Sequence, residues 1–420
     1  MCADGLSLAP FRGLRYAPER VGSLASVTSP PYDVVVRPDG VHHLETADQF
    51  NIVRLILPHS ADPEARHRKA AETLRDWESR GVLVRDREPA LYVYEQRRGE
   101  VVQRGLIGAL RLSPPQEGVV LPHEDVMPDV VADRMALMRE TAANLEPLLL
   151  SYRGDGLPTG AGAVVERTAA GPPLLATTTE DGFAHRLWSV TDPAALREVD
   201  DDLAARSALI ADGHHRWATY LRLREEHPDS AEWAHGLVLL VDTARYPLRV
   251  QAIHRVLPRL AAAEALDRLD GALRVRPVAG SLDDALAELA ASPGTAFVLA
   301  GADGSFHLLD RPDPALVART VGTDRPAAWR ALDATVLHSA LLGPVWQVPD
   351  DPASVRYLHS AASAVEQARR TGGSAVLMRA VAEETVRELA RQGVMMPRKS
   401  TSFGPKPASG LVLRTLDPPR

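Results

Sequence analysis

The sequence predicts a mixed fold, α/β or α+β, with mixed sheets and flanking helices. Three observations carry that reading. Short apolar runs such as ALYVYE (90–95), GLIGALRL (105–112) and GLVLLVD (236–242) alternate along the chain with amphipathic stretches such as EARHRKAAETLRDWESR (64–80). Of the 420 residues, 45% are hydrophobic, enough for a sizeable core and for two or three domains. The 33 prolines are spread through the chain and punctuate many loops.

The elements follow in order. Residues 11–37 read as irregular around the turn Ser29-Pro30-Pro31-Tyr32-Asp33. Ala70, Leu74 and Trp77 share one face of a helix over 64–80 that Gly81 stops. ALYVYE and GLIGALRL form strands about a polar turn at Arg97–Glu100. His123-Glu124 sit in a loop after Pro122, 130–143 is helical, and Leu145–Tyr152 is extended. The Gly-, Pro- and Thr-rich stretch 154–187 marks a boundary between a mixed domain over 1–170 and a second domain over 186–420. In the second domain Ser207–Ala211 is a short strand, Asp212-Gly213 turns it, and His214–Glu226 is a helix. Strands follow at 236–242 and 248–253, helices at 260–274 and 282–291, and a hairpin over Thr295–Leu309. The last third reads as helices at 331–342, 361–371 and 382–392, strands at 374–379 and 410–414, and a basic loop at 396–407 that returns to the cleft.

Composition narrows the function. A net charge of −7 argues against a nucleic-acid binder driven by bulk positive charge. The single cysteine, Cys2, excludes a disulfide framework or a cysteine-based zinc site within one chain, and a reducing, cytoplasmic compartment fits. No stretch approaches 18 apolar residues, and Met1–Pro10 lacks the charged and apolar regions of a secretory signal. The partner expected is a small molecule and a nucleotide, with no membrane. The sharper signal is in the rare letters. Of 48 basic side chains only Lys69, Lys399 and Lys406 are lysine, and only Asn51 and Asn144 are asparagine. A chain that uses Arg wherever a surface cation will do points to its lysines as chemistry.

Three constellations carry that chemistry. In Ile210-Ala211-Asp212-Gly213-His214-His215-Arg216 a strand runs through a tight turn into a helix. Asp212 is expected to cap the helix, Gly213 to allow close approach, and the first amides with the Arg216 fork to hold phosphate. His214 and His215 donate hydrogen bonds or exchange protons. No zinc-type spacing is present, so the metal expected is Mg²⁺ carried by a nucleotide near Glu124 or Asp212. In the second constellation, His123 or Glu124 supplies a general base, with Arg134 and Asn144 on the substrate. Arg134 and Asn144 lie ten residues apart, near opposite ends of one helix, and Asn144 also suits a helix C-cap. The third is Met396–Lys406, where Lys399, Ser400, Thr401 and Lys406 suit phosphate or carboxylate, although the glycine spacing of a Walker A loop is absent. Tyr32-Asp33, Asn51 and His254-Arg255 are weaker pointers.

These residues resemble a known family. PPYDVV (30–35), His123-Glu124 with Arg134, Asn144 and Tyr152, IADGHHR (210–216) and MPRKSTSFGPKPASGL (396–411) are similar, in that order, to the bacterial domain-of-unknown-function 1015 family across nearly the whole chain. Val126 and Gly404 depart from its pattern, where a hydroxyl residue and an aromatic are expected. DGHHR also resembles, at motif level, the Gly-His-Arg phosphate loop of the ParB/sulfiredoxin-like fold, whose members include free-serine kinases, CTP-hydrolysing partition proteins and sulfiredoxins. That resemblance implies that Gly213, His214, His215 and Arg216 hold phosphate; it identifies no catalytic base. The reading that follows is a phosphotransferase using ATP or ADP with Mg²⁺ on the hydroxyl of serine or a similar small molecule. Tyr32, Asp33, Arg134 and Asn144 would bind the substrate. The alternatives are a nucleotide-binding regulatory module without turnover, or a phosphatase or other hydrolase.

Overall fold

Alternating apolar runs and amphipathic stretches fold, in a computed structural model, into mixed sheets flanked by helices. The structure describes residues 5–35, 38–60, 62 and 65–416, so Cys2 lies outside the described residues. No helix among them is long and apolar enough to cross a membrane. The chain forms two compact units, Met1–Leu248 with Pro405–Arg420, and Arg249–Gly404. The expected boundary at 154–187 therefore falls inside the first unit. Residues there form a helix, Gly160–Ala169, and two strands, Leu175–Thr178 and Ala184–Val190, that extend the main sheet. Local Gly and Pro content marks turns; the pairing of Ala184–Val190 with Leu91–Arg98 keeps this segment in the first core.

The first unit is built on a nine-stranded sheet in the order Val120–Leu121, Ala208–Asp212, Leu148–Tyr152, His235–Asp242, Val101–Arg111, Leu91–Arg98, Ala184–Val190, Leu175–Thr178, with Leu8–Ala9 also paired to Val101–Arg111. Ala208–Asp212 is flanked by a parallel and an antiparallel neighbour, and the antiparallel register shifts between Ile210 and Asp212. Such a bulge bends the strand and re-aims the side chain at its end, here Asp212. The next helix, His214–Glu226, buries Trp217, Tyr220 and Leu223 in the same apolar core as Leu148, Leu150, Val238 and Leu240 of the sheet. Burial on that scale, roughly 1.5–3 kcal/mol per large apolar side chain, holds the start of the helix in place.

The expected irregular segment 11–37 contains a strand, Leu14–Tyr16, and a helical turn, Leu24–Val27. Both are anchored by distant chain. Ser29 pairs with Ser409, Leu14 with Leu413, and Arg414–Thr415 with Ala143–Asn144. Asn51 completes the tie: its side-chain amide donates to Ser26 O (2.7 Å) and Thr28 O (3.2 Å), and its oxygen accepts from Val53 N (2.9 Å).

The second unit holds a six-stranded sheet, in the order Arg274–Val278, Phe306–Asp310, Ala296–Gly301, Ser374–Leu377, His254–Leu257, Arg356–Leu358. The helix expected over 260–274 is only Ala262–Asp267, because Arg274–Val278 is taken into the sheet by Phe306–Asp310. The expected helix at 331–342 opens as Asp333–Val336 and widens into a π-helix, Leu337–Leu342. The loop at 396–407 contains a strand, Ser402–Gly404, paired with Arg249–Gln251.

Candidate functional site

The turn between strand and helix forms as expected at its backbone, with one correction. The residue that caps the helix His214–Glu226 is Gly213, at φ +100°, and no side chain caps the helix. A Cβ at Gly213 would lie 2.9 Å from Leu148 Cγ, so both conformation and space require glycine. Asp212 is drawn away from the helix amides by two cations. Its carboxylate accepts from Arg216 Nη2 at 2.9 Å and from Lys406 Nζ at 2.5 Å. The first-turn amides stand at the positive end of the helix dipole, where an α-helix supplies no intrahelical acceptor.

Lys406 is the hub. Its ammonium also pairs with Asp33, so one cation bridges carboxylates from residues 33 and 212. Burial works against the ammonium, but Asp212 and Asp33 outweigh it and raise its pKa. Asp33 is held below the usual carboxylate range because Lys406 and Arg216 outweigh its burial. Asp212 goes the other way: burial, with the Asp33 charge next, pushes it up against Lys406 and Arg216. The two acids thus differ in proton affinity while sharing one cation.

Arg216 is 4% exposed and its fork is spent inside the protein, on Pro147 O (3.0 Å) and Asp212. Only its Nε has no hydrogen-bond partner. The expectation that Arg216 clasps phosphate directly is therefore replaced by a positioning role: it aims Asp212 and, with Arg134, stacks over the Tyr32 ring at 5.6 and 4.5 Å. Burial lifts the Tyr32 hydroxyl to about 12. Arg134 donates to Ile56 O at 2.8 Å. Asn144 is not brought to this cluster, nor does it cap the helix Pro128–Thr141, which ends on Ala142 in the left-handed region. Its oxygen accepts from Leu237 N (3.2 Å) and Arg414 Nη1 (3.1 Å), a packing role set by the pairing of Ala143–Asn144 with the chain's last strand.

The His123-Glu124 loop meets the same helix start. His214 Nε2 accepts from His123 N at 3.3 Å, and the two rings meet edge to face at 4.4 Å. An acceptor at Nε2 assigns the ring proton to Nδ1, which faces Glu124 Oε2 at 4.0 Å. His215 Nε2 accepts from Met127 N at 3.1 Å, which ties down the rest of the loop. Burial drops His123 to about 4 and takes His214 well below its ordinary value, with His123, His215 and Lys406 adding to the second shift. Both imidazoles are neutral at pH 7. The Glu124 side chain is 33% exposed, the accessible carboxylate beside a donor.

Several positioning residues escape a reading by motif. Glu146 is buried, its pKa raised by that burial, and it accepts from Tyr32 N (2.9 Å) and Ser409 Oγ (3.0 Å). Gln96 and Gln103, 1% and 2% exposed, both donate to Pro405 O, at 3.1 and 3.0 Å, and Tyr94 Oη accepts from Ala408 N at 3.2 Å. They fix the segment that carries Lys406. The signal was present: Gln96 and Gln103 lie at equal distance from the Gly99-Glu100 turn, which makes them cross-strand partners. Lys399, Ser400 and Thr401 belong to the second unit. Lys399 is exposed at φ +55°, and Ser400 Oγ donates to Pro397 O at 2.6 Å.

The class this defines is a mixed α/β protein in which side chains from three distant parts of the chain meet at the start of the helix His214–Glu226. The chain belongs to the family described as Protein of unknown function (DUF1015), whose model matches residues 8–335. No curated protein matches it. Among solved structures it is similar to a free serine kinase in complex with AMP, at TM-score 0.34 and 17% identity over 68% of this chain and 83% of that one. It is also similar to a conserved hypothetical protein from Pyrococcus furiosus (TM-score 0.33, 15% identity, 68% of this chain and 87% of that one). SbnI with C-terminal truncation from Staphylococcus aureus gives TM-score 0.36 and 9% identity over 71% and 82%.

Proposed function

We propose that the protein is a nucleotide-dependent phosphotransferase that acts on the hydroxyl of serine or a similar small molecule. The observation that carries this reading is the meeting of an uncapped helix start with Lys406, Asp33, Asp212 and Glu124 in one unit. Phosphoryl transfer asks for positioning and charge neutralisation more than for covalent chemistry, and these groups supply both. The first-turn amides of residues 214–216 and the Lys406 ammonium would hold the phosphates of ATP or ADP, in the manner of the ParB/sulfiredoxin-like loop that DGHHR resembles. Asp33 and Asp212 offer the one or two carboxylates that a nucleotide's Mg²⁺ requires. When bound, the nucleotide with Mg²⁺ supplies the phosphoryl group.

Glu124 takes the acceptor's proton. Its carboxylate is accessible, and the Nδ1–H of neutral His214 orients it. His123 is too buried to meet a substrate and acts by fixing the His214 tautomer. Glu124→Gln is therefore expected to leave nucleotide binding intact and to lower turnover about 10²–10⁴-fold. The test is thermal-shift titration with ATP, ADP, CTP and pyrophosphate with Mg²⁺, followed by phosphorus NMR with serine and other small hydroxy compounds. No stabilisation by any phosphate ligand sinks the proposal. Stabilisation without turnover turns it into a regulatory nucleotide-binding module, and release of inorganic phosphate from a phosphate ester into a hydrolase.

A further inference from the structure

Arg255, which the phosphotransferase reading does not use, is the anomaly of the second unit. It is a large side chain at 1% exposure, and among the described residues no carboxylate pairs with it. Its partners are neutral. Nη1 donates to Ile253 O, Nη2 donates to Lys399 O at 3.0 Å, and Nε and Nη2 both point at one nitrogen, His338 Nε2, at 3.3 and 3.1 Å. The Nε–Nη2 edge of a guanidinium matches a pair of oxyanion oxygens, and here a single imidazole nitrogen occupies it. A buried cation without a hydrogen-bonded counter-ion is costly, and burial drops its pKa to about 10 against the opposing fields of Tyr357 and Asp350.

The surroundings favour an anion. Lys399 brings a second cation, its carbonyl tied to the guanidinium and its exposed side chain carried on a residue at φ +55°. The field of Arg398 also reaches Tyr357, and the nearby acid is Asp350, 3.4 Å from the Tyr357 hydroxyl. Arg398 and Arg255 thus both act on Tyr357 against the one carboxylate of Asp350, and Lys399 adds a further exposed cation one residue along the chain from Arg398. The Tyr357 ring lies 5.2 Å from the guanidinium and stacks parallel on His338, with centroids 6.4 Å apart. His338 stands in the π-helix Leu337–Leu342, a form of backbone concentrated at functional sites.

We propose that the second unit binds a phosphate-monoester group at the Arg255 fork, with His338 giving up the fork edge and Lys399 supplying the second positive charge. Lys399 is then a ligand residue by virtue of its own unit. The inference does not depend on phosphotransfer, since a protein without turnover would still bind.

The test uses the full chain and inorganic phosphate, against chloride at equal ionic strength. Hydrogen exchange is expected to slow in peptides covering 337–342 and 396–404. Lys399→Met, at an exposed position, and Arg255→Lys, which keeps the charge and loses the fork, should each weaken phosphate binding about 10-fold or more, while Lys69→Met leaves it unchanged. Should Arg255→Lys not fold, Lys399→Met decides. Unchanged affinity in Lys399→Met overturns the proposal, as does protection confined to peptides around 212–216 and 405–409. The latter outcome would leave the first unit's cradle standing alone.

Discussion

Each unit sets a cation among partners, and the two treat it in opposite ways. Lys406 is held between two carboxylates that arrive from residues 33 and 212, and its charge is cancelled more than once. Arg255 has only an imidazole and two carbonyls. The first arrangement is stable as it stands and presents a finished electrostatic frame around a helix start. The second is unbalanced and gains most from an added anion. A neutral histidine stands beside each cation: Lys406 helps keep His214 unprotonated, and Arg255 does the same for His338 after the larger effect of burial.

Truncation is the strongest way to break this comparison. Lys406→Met strands Asp33 against Asp212 and is expected to cost about 3–5 kcal/mol of folding stability. Arg255→Met strands no carboxylate and leaves only carbonyls and an imidazole short of a donor, so it should cost about 1–2 kcal/mol. Urea denaturation of both variants measures the gap; equal losses would remove the distinction.

Acid sharpens what the two clusters share. His123 falls to about 4 in the folded chain, as does His338, against an ordinary value of 6.5. The unfolded chain therefore binds more protons between about pH 4 and 6.5, and stability declines as pH drops through that window. His123 alone contributes on the order of 3 kcal/mol there. Urea midpoints at pH 7, 5.5 and 4.5 should fall in that order, and a flat series would mean that these imidazoles bind protons equally in the folded and the unfolded chain.

A further substitution tests the cradle's backbone. Gly213→Ala meets both a positive φ and the Leu148 side chain, and about 1–3 kcal/mol of destabilisation is expected. Loss of phosphate-ligand stabilisation should accompany it, which thermal shift reads directly.

Much of this was legible in the chain. The apolar run 207–211, which forms the strand Ala208–Asp212, the Asp-Gly turn and the helix after it are local, and each lies within a residue of where periodicity and turn chemistry put it. The scarcity of lysine singled out Lys399 and Lys406, one in each unit's cation cluster. Other features were not legible because they depend on partners far along the chain. Asp212 looked like a helix cap until Lys406, 194 residues on, and Arg216 claimed its carboxylate. Arg216 looked like a phosphate fork until Pro147 O took one arm. Asn144 looked like a substrate ligand or a cap until Leu237 and Arg414 used its oxygen. The Gly- and Pro-rich stretch 154–187 reads as a domain boundary because turns within a domain and boundaries between domains share a composition.

By itself, then, the sequence determined the helices around 66–79, 128–141, 214–226, 282–291, 361–371 and 383–391, but not those at 38–47, 160–169 and 193–203, together with several of the strands, the chemical types at the site and the rare cations worth watching, since these follow from period, capping and composition. Only the tertiary structure decided which carboxylate each cation meets, which guanidinium is left without one, and that the chain divides after Leu248 and returns to its first unit at Pro405. Those outcomes are set by long-range pairing and burial, and no local pattern encodes the distance between residue 33 and residue 406.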